Sequence, residues 1–245
     1  MARLRALTFD FWGTLYQNAW VERERIALLA QALQCHEQPR DTESLLAAHR
    51  YGWSIHERYW REERRSISIQ LWLDEVLAFL GADLPPDARA DLCPRIEEIY
   101  LHSGAPQPVA GVTDVIPRLA DRYRLGLISD VGLTPGRILR ELLRRDGLLP
   151  CFQQLTFSDE FGATKPTEEI FLHTVQMLGV QPDEAAHIGD LPETDIAGAH
   201  AVGMRTILFL GVSDRQDGLA LADAAYDRYD ALEAVLRQLD EPQCR

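Results

Sequence analysis

The sequence "ALTFDFWGTLY", residues 6–16, predicts a buried β-strand that delivers an aspartate to a tight turn. Its first residues are apolar or β-branched, as strands prefer, and the run ends at Asp10. Gly13 and Thr14 follow at once, which is typical of a turn. Trp12 stands two residues after Asp10, so side-chain alternation places the indole and the carboxylate on the same side of the chain. This pair is unusual for a turn that faces only solvent, and it is the first feature that bears on function.

The segment after this strand is predicted to be helical, because apolar residues recur at spacings of three and four. This pattern holds throughout residues 17–104. The three clearest helical stretches are "VERERIALLAQALQ", "DTESLLAAHRYGWSIHERYWREERR" and "IQLWLDEVLAFLGA".

From about residue 105 the pattern changes to short apolar runs that alternate with helices. The runs predicted as buried strands are "YRLGLISD", "QLTFSD", "EAAHIGD" and "MRTILFLG". Strands that alternate with helices form a parallel sheet covered on both faces. The sequence therefore predicts an α/β fold: a doubly wound, Rossmann-like core of residues 1–16 and 105–245, with an all-helical domain of residues 17–104 inserted after the first strand.

The composition excludes several classes of partner. The chain has 245 residues, 46% of them hydrophobic, and a formal net charge of −13. Nucleic acids and anionic membrane surfaces require a basic face, so neither is expected as a partner. A small anionic substrate is still compatible, provided that a metal ion or a placed cation supplies local positive charge. Whether the protein is a monomer or a homodimer is left open.

The cysteines and the apolar runs indicate a cytoplasmic protein. No apolar run approaches the length of a membrane span, and the N-terminus lacks the apolar region of a signal peptide. The cysteines are widely spaced and form no CxxC motif, so we expect free thiols in a reducing compartment. They are Cys35, Cys93, Cys151 and Cys244.

Lys165 is the only lysine among the 25 basic residues of the chain. A coding bias toward arginine would explain its rarity, since arginine replaces lysine wherever only charge matters. A compact ammonium on a flexible stem nevertheless differs from a planar guanidinium. The survival of one lysine therefore raises the expectation that Lys165 is functional.

Polar residues end three of the predicted strands. Asp10 ends the first strand, Ser129 and Asp130 end the second, and Asp190 ends the strand "AAHIGD", with Asp195 five residues later. Ligands of doubly wound sheets bind beyond the carboxyl ends of the strands. Each residue alone would also suit a turn or a helix cap.

Taken together, these residues predict a metal and phosphate site. The carboxylates of Asp10, Asp190 and Asp195 would repel one another at one sheet edge unless a hard cation bound them, and Mg²⁺ prefers such oxygen ligands. The ammonium of Lys165 and the hydroxyl of Ser129 beside that metal would suit a phosphate group.

Four motifs in order make the chain resemble the haloacid dehalogenase superfamily. They are "DFWGTL", "LISD", "TKPTEEIF" and "IGDLPETDIAGAHAVGM". The resemblance covers residues 1–16 and 105 to about 235, and the helical insert corresponds to the family's cap between its first and second motifs. It implies a hydrolase whose active site lies between the core and the cap.

The resemblance also implies roles for the residues at the matching positions. Asp10 would be the nucleophile and would form a covalent aspartyl intermediate, while Lys165 would hold Asp10 and the transferred group. Ser129 would contact a substrate oxygen, and Asp130 and Trp12 would lie beside the substrate.

The metal ligands follow in the same way. Mg²⁺ would be held by Asp10, by the backbone carbonyl of Trp12 and by Asp190, with Asp195 acting directly or through water. A carboxylate can attack an anionic phosphoryl group only if their repulsion is screened, and this metal together with Lys165 would screen it.

Trp12 is the departure from the family pattern, because the family's phosphatases carry a second aspartate there that protonates the leaving oxygen. One interpretation is a Mg²⁺-dependent phosphohydrolase whose leaving groups need little protonation, or whose acid comes from the insert. A second is a metal-independent 2-haloacid dehalogenase, since that group has an aromatic residue at this position and halide needs no proton. A third is a catalytically impaired relative that only binds a phosphorylated ligand or a partner.

Overall fold

A single parallel sheet forms the centre of the computed structural model, which describes residues 2–240. Six strands lie in the order β3-β2-β1-β4-β5-β6, and every neighbouring pair is parallel. This is the order of a doubly wound, Rossmann-like sheet, as the sequence predicts. The strands are β1 (Ala6–Phe9), β2 (Arg124–Ser129), β3 (Gln154–Phe157), β4 (Ala185–Gly189), β5 (Arg205–Phe209) and β6 (Ala224–Tyr226).

The first strand is central, and this placement positions the candidate site. Phe9 is in register with Leu127 of β2 on one side and with Ile188 of β4 on the other. The chain moves outward from β1 to β2 and β3, and then crosses back to β4. The carboxyl ends of β1 and β4 therefore meet where the strand order reverses, which is where such sheets bind ligands.

Helices cover both faces of the sheet and also form the segment between β1 and β2. Leu7 and Phe9 pack into one apolar cluster, whereas Ala6 packs into a second with α9 and α10, as strand alternation requires. The helices are α1 (Glu22–Cys35), α2 (Thr42–Arg61), α3 (Ile69–Leu80), α4 (Pro86–Glu97), α5 (Ile99–Ser103), α6 (Val112–Ala120), α7 (Gly136–Arg145), α8 (Ser158–Phe161), α9 (Glu168–Met177), α10 (Ala197–Ala201) and α11 (Tyr229–Asp240).

The helical segment α1–α5 leaves the sheet and returns to it through two stretches of chain that lie side by side. Tyr16 bridges Pro108 in antiparallel fashion, Gln17 N donates to Gln107 O at 3.0 Å, and Val109 N donates to Leu15 O at 2.9 Å. The main apolar cluster continues from the sheet into this segment. The division into a core and a cap domain at residues 17–104 stays a prediction.

Local signals account for the helix ends within this segment. The Asp41 side chain accepts from Ser44 N at 2.8 Å and caps α2, while Gly81 ends α3 at a positive φ of 56°. None of α1–α11 combines the length and apolar character needed to cross a bilayer. Cys35, Cys93 and Cys151 are free thiols, and Cys244 lies outside the described residues.

Candidate active site

Three buried carboxylates meet at the carboxyl edge of the sheet. Asp10 directly follows β1 and Asp190 directly follows β4, while Asp195 lies on a π-helical turn, Pro192–Ile196, that opens the next crossover. Each side chain offers an oxygen within 4.8 Å of the others, and none of the three is more than 5% exposed. The fold thus brings together the three acids that the sequence singles out.

The ammonium of Lys165 lies within this cluster. It donates to Asp10 Oδ1 at 2.5 Å, to Asp195 Oδ1 at 2.6 Å and to the backbone oxygen of Ile128 at 3.1 Å. Burial would lower the pKa of Lys165, but the charges of Asp10 and Asp195 outweigh burial and raise it. The lysine is therefore a permanent cation with all three of its donors in use.

Asp195 is fully occupied by hydrogen bonds. Its Oδ1 also lies 3.0 Å from His187 Nε2, and its Oδ2 accepts from Leu191 N at 3.0 Å. Burial would raise the pKa of Asp195, yet the Lys165 charge and the His187 contact outweigh it and hold that pKa below its usual range. Asp195 is consequently an ionised carboxylate whose position is fixed.

The buried His187 orients Asp195 from within β4. Burial lowers the pKa of His187, so the ring is neutral, and Nδ1 lies 2.9 Å from the Thr8 hydroxyl. A proton on Nε2 donates to Asp195 and leaves Nδ1 to accept from Thr8, which satisfies both nitrogens. His187 is therefore a buried histidine with both ring nitrogens satisfied.

Asp190 differs from Asp195 because one of its oxygens has no partner. Oδ2 accepts from the Ser213 hydroxyl at 2.6 Å, but the buried Oδ1 accepts no hydrogen bond from residues 2–240. Burial, and next the charge of Asp195, raise the pKa of Asp190 to about 7. Burial likewise raises the pKa of Asp10, in spite of Lys165. Both shifts indicate negative charge that the surrounding protein does not fully neutralise.

The cluster fits a hard divalent cation. Three carboxylates offer one oxygen each within 4.8 Å of one another, and one buried oxygen of Asp190 has no partner among residues 2–240. Gly13 makes room for this carboxylate: its φ is +72°, and a Cβ there would overlap the Asp190 side chain. Gly13, in the turn after β1, thus leaves the space that the Asp190 carboxylate after β4 occupies.

Trp12 shares a cleft with Asp10, as their spacing predicts. Its indole lies 5.4 Å from the Tyr100 ring and 4.9 Å from the Phe11 ring. The position therefore presents an aromatic face rather than an acid to the cleft.

Ser129 is the last residue of β2, and Asp130 follows it. Ser129 is fully buried, and its hydroxyl donates to the Asp130 backbone oxygen at 3.3 Å. Asp130 lines the cleft, but its carboxylate accepts from Lys165 N at 3.0 Å and from the Trp60 indole at 2.8 Å. Asp130 therefore links the helical segment to the sheet, and the predicted contacts of both residues with a substrate stay predictions.

The cleft between the sheet edge and the helical segment has a volume of about 300 Å³. Besides the residues above, the side chains of Arg25, His56 and Tyr100 line it. Arg25 and Tyr100 were not predicted from the sequence. A signal for Arg25 exists, since it continues the four-residue spacing of buried Val21, just before α1, and of buried Leu29 and Leu33 within it.

The fold and site define a class of hydrolase in which a carboxylate at the end of a central parallel strand is held by a buried lysine and flanked by further acids. The chain belongs to the haloacid dehalogenase-like hydrolase family, whose pattern it matches over residues 4–203.

Three relatives illustrate the range of this family. The chain is 29% identical over 208 residues to a glyceraldehyde 3-phosphate phosphatase of Methanopyrus kandleri, which covers 83% of each protein. It superimposes on a 2-haloacid dehalogenase from Pseudomonas syringae with a TM-score of 0.72 at 26% identity, covering 96% and 99% of the two chains. A haloacid dehalogenase-type phosphatase from Thermococcus onnurineus gives a TM-score of 0.64 at 26% identity, covering 95% and 98%. Other curated relatives align over 36% to 60% of their own length.

Proposed function

We propose that this protein is a Mg²⁺-dependent phosphohydrolase that moves the phosphoryl group of a small phosphorylated metabolite first to Asp10 and then to water. The observation that carries the proposal is the cluster of Asp10, Asp190 and Asp195 around Lys165, with one Asp190 oxygen unpartnered. The likeness to a phosphatase of Methanopyrus kandleri over 83% of the chain supports it.

Asp10, Asp190 and the backbone carbonyl of Trp12 would hold the metal. Both Asp195 oxygens already accept hydrogen bonds, so Asp195 would act through water or by holding Lys165. When bound, Mg²⁺ supplies positive charge that screens the repulsion between a carboxylate and phosphoryl oxygens.

Asp10 then acts as the nucleophile. The Asp10 oxygen that does not contact Lys165 attacks phosphorus, the bond from phosphorus to the leaving oxygen breaks, and that oxygen keeps the electron pair. Water attacks the phosphorus of the aspartyl phosphate and the bond from phosphorus to the Asp10 oxygen breaks, which regenerates the carboxylate and releases hydrogen phosphate, while the second proton of the water passes to solvent. Lys165 holds Asp10 in place and neutralises charge, while Ser129 and Asp130 lie beside the phosphoryl oxygens.

Trp12 restricts which substrates react well. A missing general acid slows such a reaction by about 10²- to 10⁴-fold when the leaving oxygen must be protonated. Substrates whose leaving oxygen is weakly basic, such as acyl phosphates or phosphoanhydrides, avoid this loss. Substituting Trp12→Asp should therefore raise activity on alkyl phosphomonoesters more than on acetyl phosphate.

We further propose that residues 17–104 act as a cap over the cleft, excluding water and selecting the substrate. An enzyme of this kind that acts on metabolites would work in the cytoplasm, as a monomer or a homodimer.

The second candidate function is 2-haloacid dehalogenase. The aromatic face of Trp12 in the cleft and the TM-score of 0.72 to the Pseudomonas syringae dehalogenase favour it. Halide leaves without a proton, so the missing acid would cost nothing. The unpartnered oxygen of Asp190 favours the metal-dependent reaction instead.

The deciding experiment measures phosphate release from acetyl phosphate and p-nitrophenyl phosphate, with Mg²⁺ or with EDTA. We expect metal-dependent release that Asp10→Asn abolishes. Chloride release from a 2-chloroacid in EDTA, with no phosphate release, would replace the proposal by dehalogenation. Equal phosphate release by the Asp10→Asn variant would refute Asp10 as the nucleophile.

A further inference from the structure

Arg25 is a buried cation without an anionic partner. Its side chain lies on the inner face of α1 and is 7% exposed. Among residues 2–240 no carboxylate oxygen lies within 4.0 Å of its guanidinium, and its Nε makes no hydrogen bond. The polar group against it is the Tyr100 hydroxyl, and the charge of Glu24 on the same helix acts on it only from beyond ion-pair distance. Buried arginines are normally paired, because desolvation of an isolated charge is costly.

The neighbouring helix α2 does not supply a negative charge that would pair with Arg25. His49 and His56 of α2 are both buried, and burial together with the Arg25 charge lowers the pKa of each, that of His56 to about 4. Both rings are therefore neutral near pH 7. Glu22, which lies on α1 itself, is directed at His49, with 3.4 Å between Oε1 and Nδ1.

Three residues that line the cleft containing Asp10 each carry a buried polar atom without a partner in the described part of the chain. Arg25 Nε, His56 Nδ1 and Thr194 Oγ1 have no hydrogen-bond partner among residues 2–240, although each side chain is at most 8% exposed. All three residues line the same cleft as Asp10. Buried donors and acceptors are almost always satisfied in folded proteins, so three unpartnered polar atoms in the residues of one cleft wall point to a polar ligand.

The rest of the cleft wall is aromatic. The helical segment and the residues next to it contribute four indoles and a phenol to the lining. These side chains are Trp12, Trp20, Trp53, Trp60 and Tyr100. Several of them are packed on one another, such as Trp20 on Trp53 at 6.1 Å and Trp12 on Tyr100 at 5.4 Å. Aromatic walls favour a flat, apolar body between them.

We propose that the substrate's leaving group is a planar fragment that carries a carboxylate, which Arg25 binds while the phosphoryl group lies at Asp10. This inference rests on the proposed phosphohydrolase function and specifies its substrate class. A planar aryl or acyl fragment also has the weakly basic leaving oxygen that the absence of an acid at Trp12 demands. A guanidinium binds a carboxylate through two parallel hydrogen bonds, which gives direction as well as affinity.

The kinetic test compares matched substrates in the presence of Mg²⁺: phenyl phosphate, 4-carboxyphenyl phosphate and 4-carbamoylphenyl phosphate. We expect kcat/KM to be roughly ten- to a hundredfold higher for the carboxylate than for the amide, mainly through KM, because a charged hydrogen-bonded pair has about this effect. In Arg25→Met and Arg25→Gln this ratio should fall to near one. Arg23→Gln, an exposed arginine of the same helix, should keep it.

A binding test needs no turnover. Quenching of tryptophan fluorescence reports the affinity of 4-(phosphonomethyl)benzoate and of its benzamide analogue for wild type and for Arg25→Met. We expect the wild type to prefer the carboxylate at least tenfold and the variant to lose this preference. Removing an unpaired buried charge should also raise the Tm of the ligand-free variant, whereas a structural arginine would lower it.

The outcomes separate the two proposals. Hydrolysis of phenyl phosphate with no carboxylate preference, in either kinetics or binding, would overturn the role of Arg25 and leave the phosphohydrolase proposal standing. Carboxylate-selective binding without any phosphate release would retain Arg25 as a carboxylate site and overturn the phosphohydrolase. Neither selective binding nor phosphate release would refute both.

Discussion

Replacing Lys165 by methionine should destabilise the protein strongly, because the lysine is the cation at the centre of the carboxylate cluster. Methionine keeps the length of the stem and removes the charge. Asp10 has no other ion-pair partner within residues 2–240, while Asp195 keeps only the neutral His187 and a backbone donor. The substitution therefore leaves buried negative charge without compensation.

The expected loss follows from this geometry. Removing one member of a buried ion pair costs about 3–5 kcal/mol. For a chain of this size that corresponds to a decrease in Tm of about 6–20 °C. Calorimetry would measure it, with Arg144→Met as the matched control, since the Arg144–Glu141 pair is at least half exposed and its loss should not change Tm measurably.

The pH dependence of the Lys165→Met variant has a definite sign. In wild type the pKa of Asp195 is held low, so its ionised form contributes stability above its unfolded-state pKa. Without Lys165 the folded-state pKa of Asp195 rises above the unfolded one and that of Asp10, which is already raised, rises further, so the variant loses more stability as pH increases through them. The Tm deficit should therefore be larger at pH 8 than at pH 5. A Tm within 2 °C of wild type at both pH values would refute this account of the cluster.

Three further predictions follow from the same site. The pKa of Asp190, about 7, lies above its unfolded value of 3.8, so the metal-free protein loses stability as the pH rises from 3.8 to 7. Mg²⁺ binds the ionised carboxylate and should therefore raise Tm more at pH 8 than at pH 5. An equal or larger Mg²⁺ effect at pH 5, seen by scanning calorimetry, would contradict this. Gly13→Ala should abolish Mg²⁺-dependent phosphate release and cost about 1–3 kcal/mol of strain, because the new Cβ meets Asp190 at a positive φ; full activity would show that Asp190 can move freely. Trp60→Phe leaves an Asp130 oxygen unpaired and should lower the free energy of unfolding by about 1–3 kcal/mol in urea titrations, and an unchanged midpoint would show that water replaces the indole.

The sequence predicts the sheet and its acidic edge because both depend on short, local patterns. A carboxylate after an apolar run marks the end of a strand, and parallel strands end at one edge, so Asp10 and Asp190 are predicted to lie at that edge, while the pairing of β1 with β4 is known only from the structure. The sixth strand, β6, was not predicted, since three residues, "AAY", carry no alternation.

Contacts between distant segments were beyond the sequence. No local sequence pattern predicts that the Trp60 indole donates a hydrogen bond to Asp130. Nor does one predict that the Ser213 hydroxyl donates to one oxygen of Asp190, while the other has no partner among residues 2–240. Arg25 occupies a position of α1 that the four-residue spacing predicts to be apolar, but this spacing does not predict which cavity that face of the helix lines. Such facts depend on how the helical segment lies over the sheet, which many weak contacts decide together.

The rarity of lysine gives this molecule a built-in reporter. Lys165 is the only lysine side chain of the sequence and is 2% exposed, so amine-reactive reagents cannot reach it in the folded structure. Acylation of this one side chain, followed by mass spectrometry, would therefore report over time the openings that both expose the lysine and separate it from Asp10 and Asp195, without any introduced label.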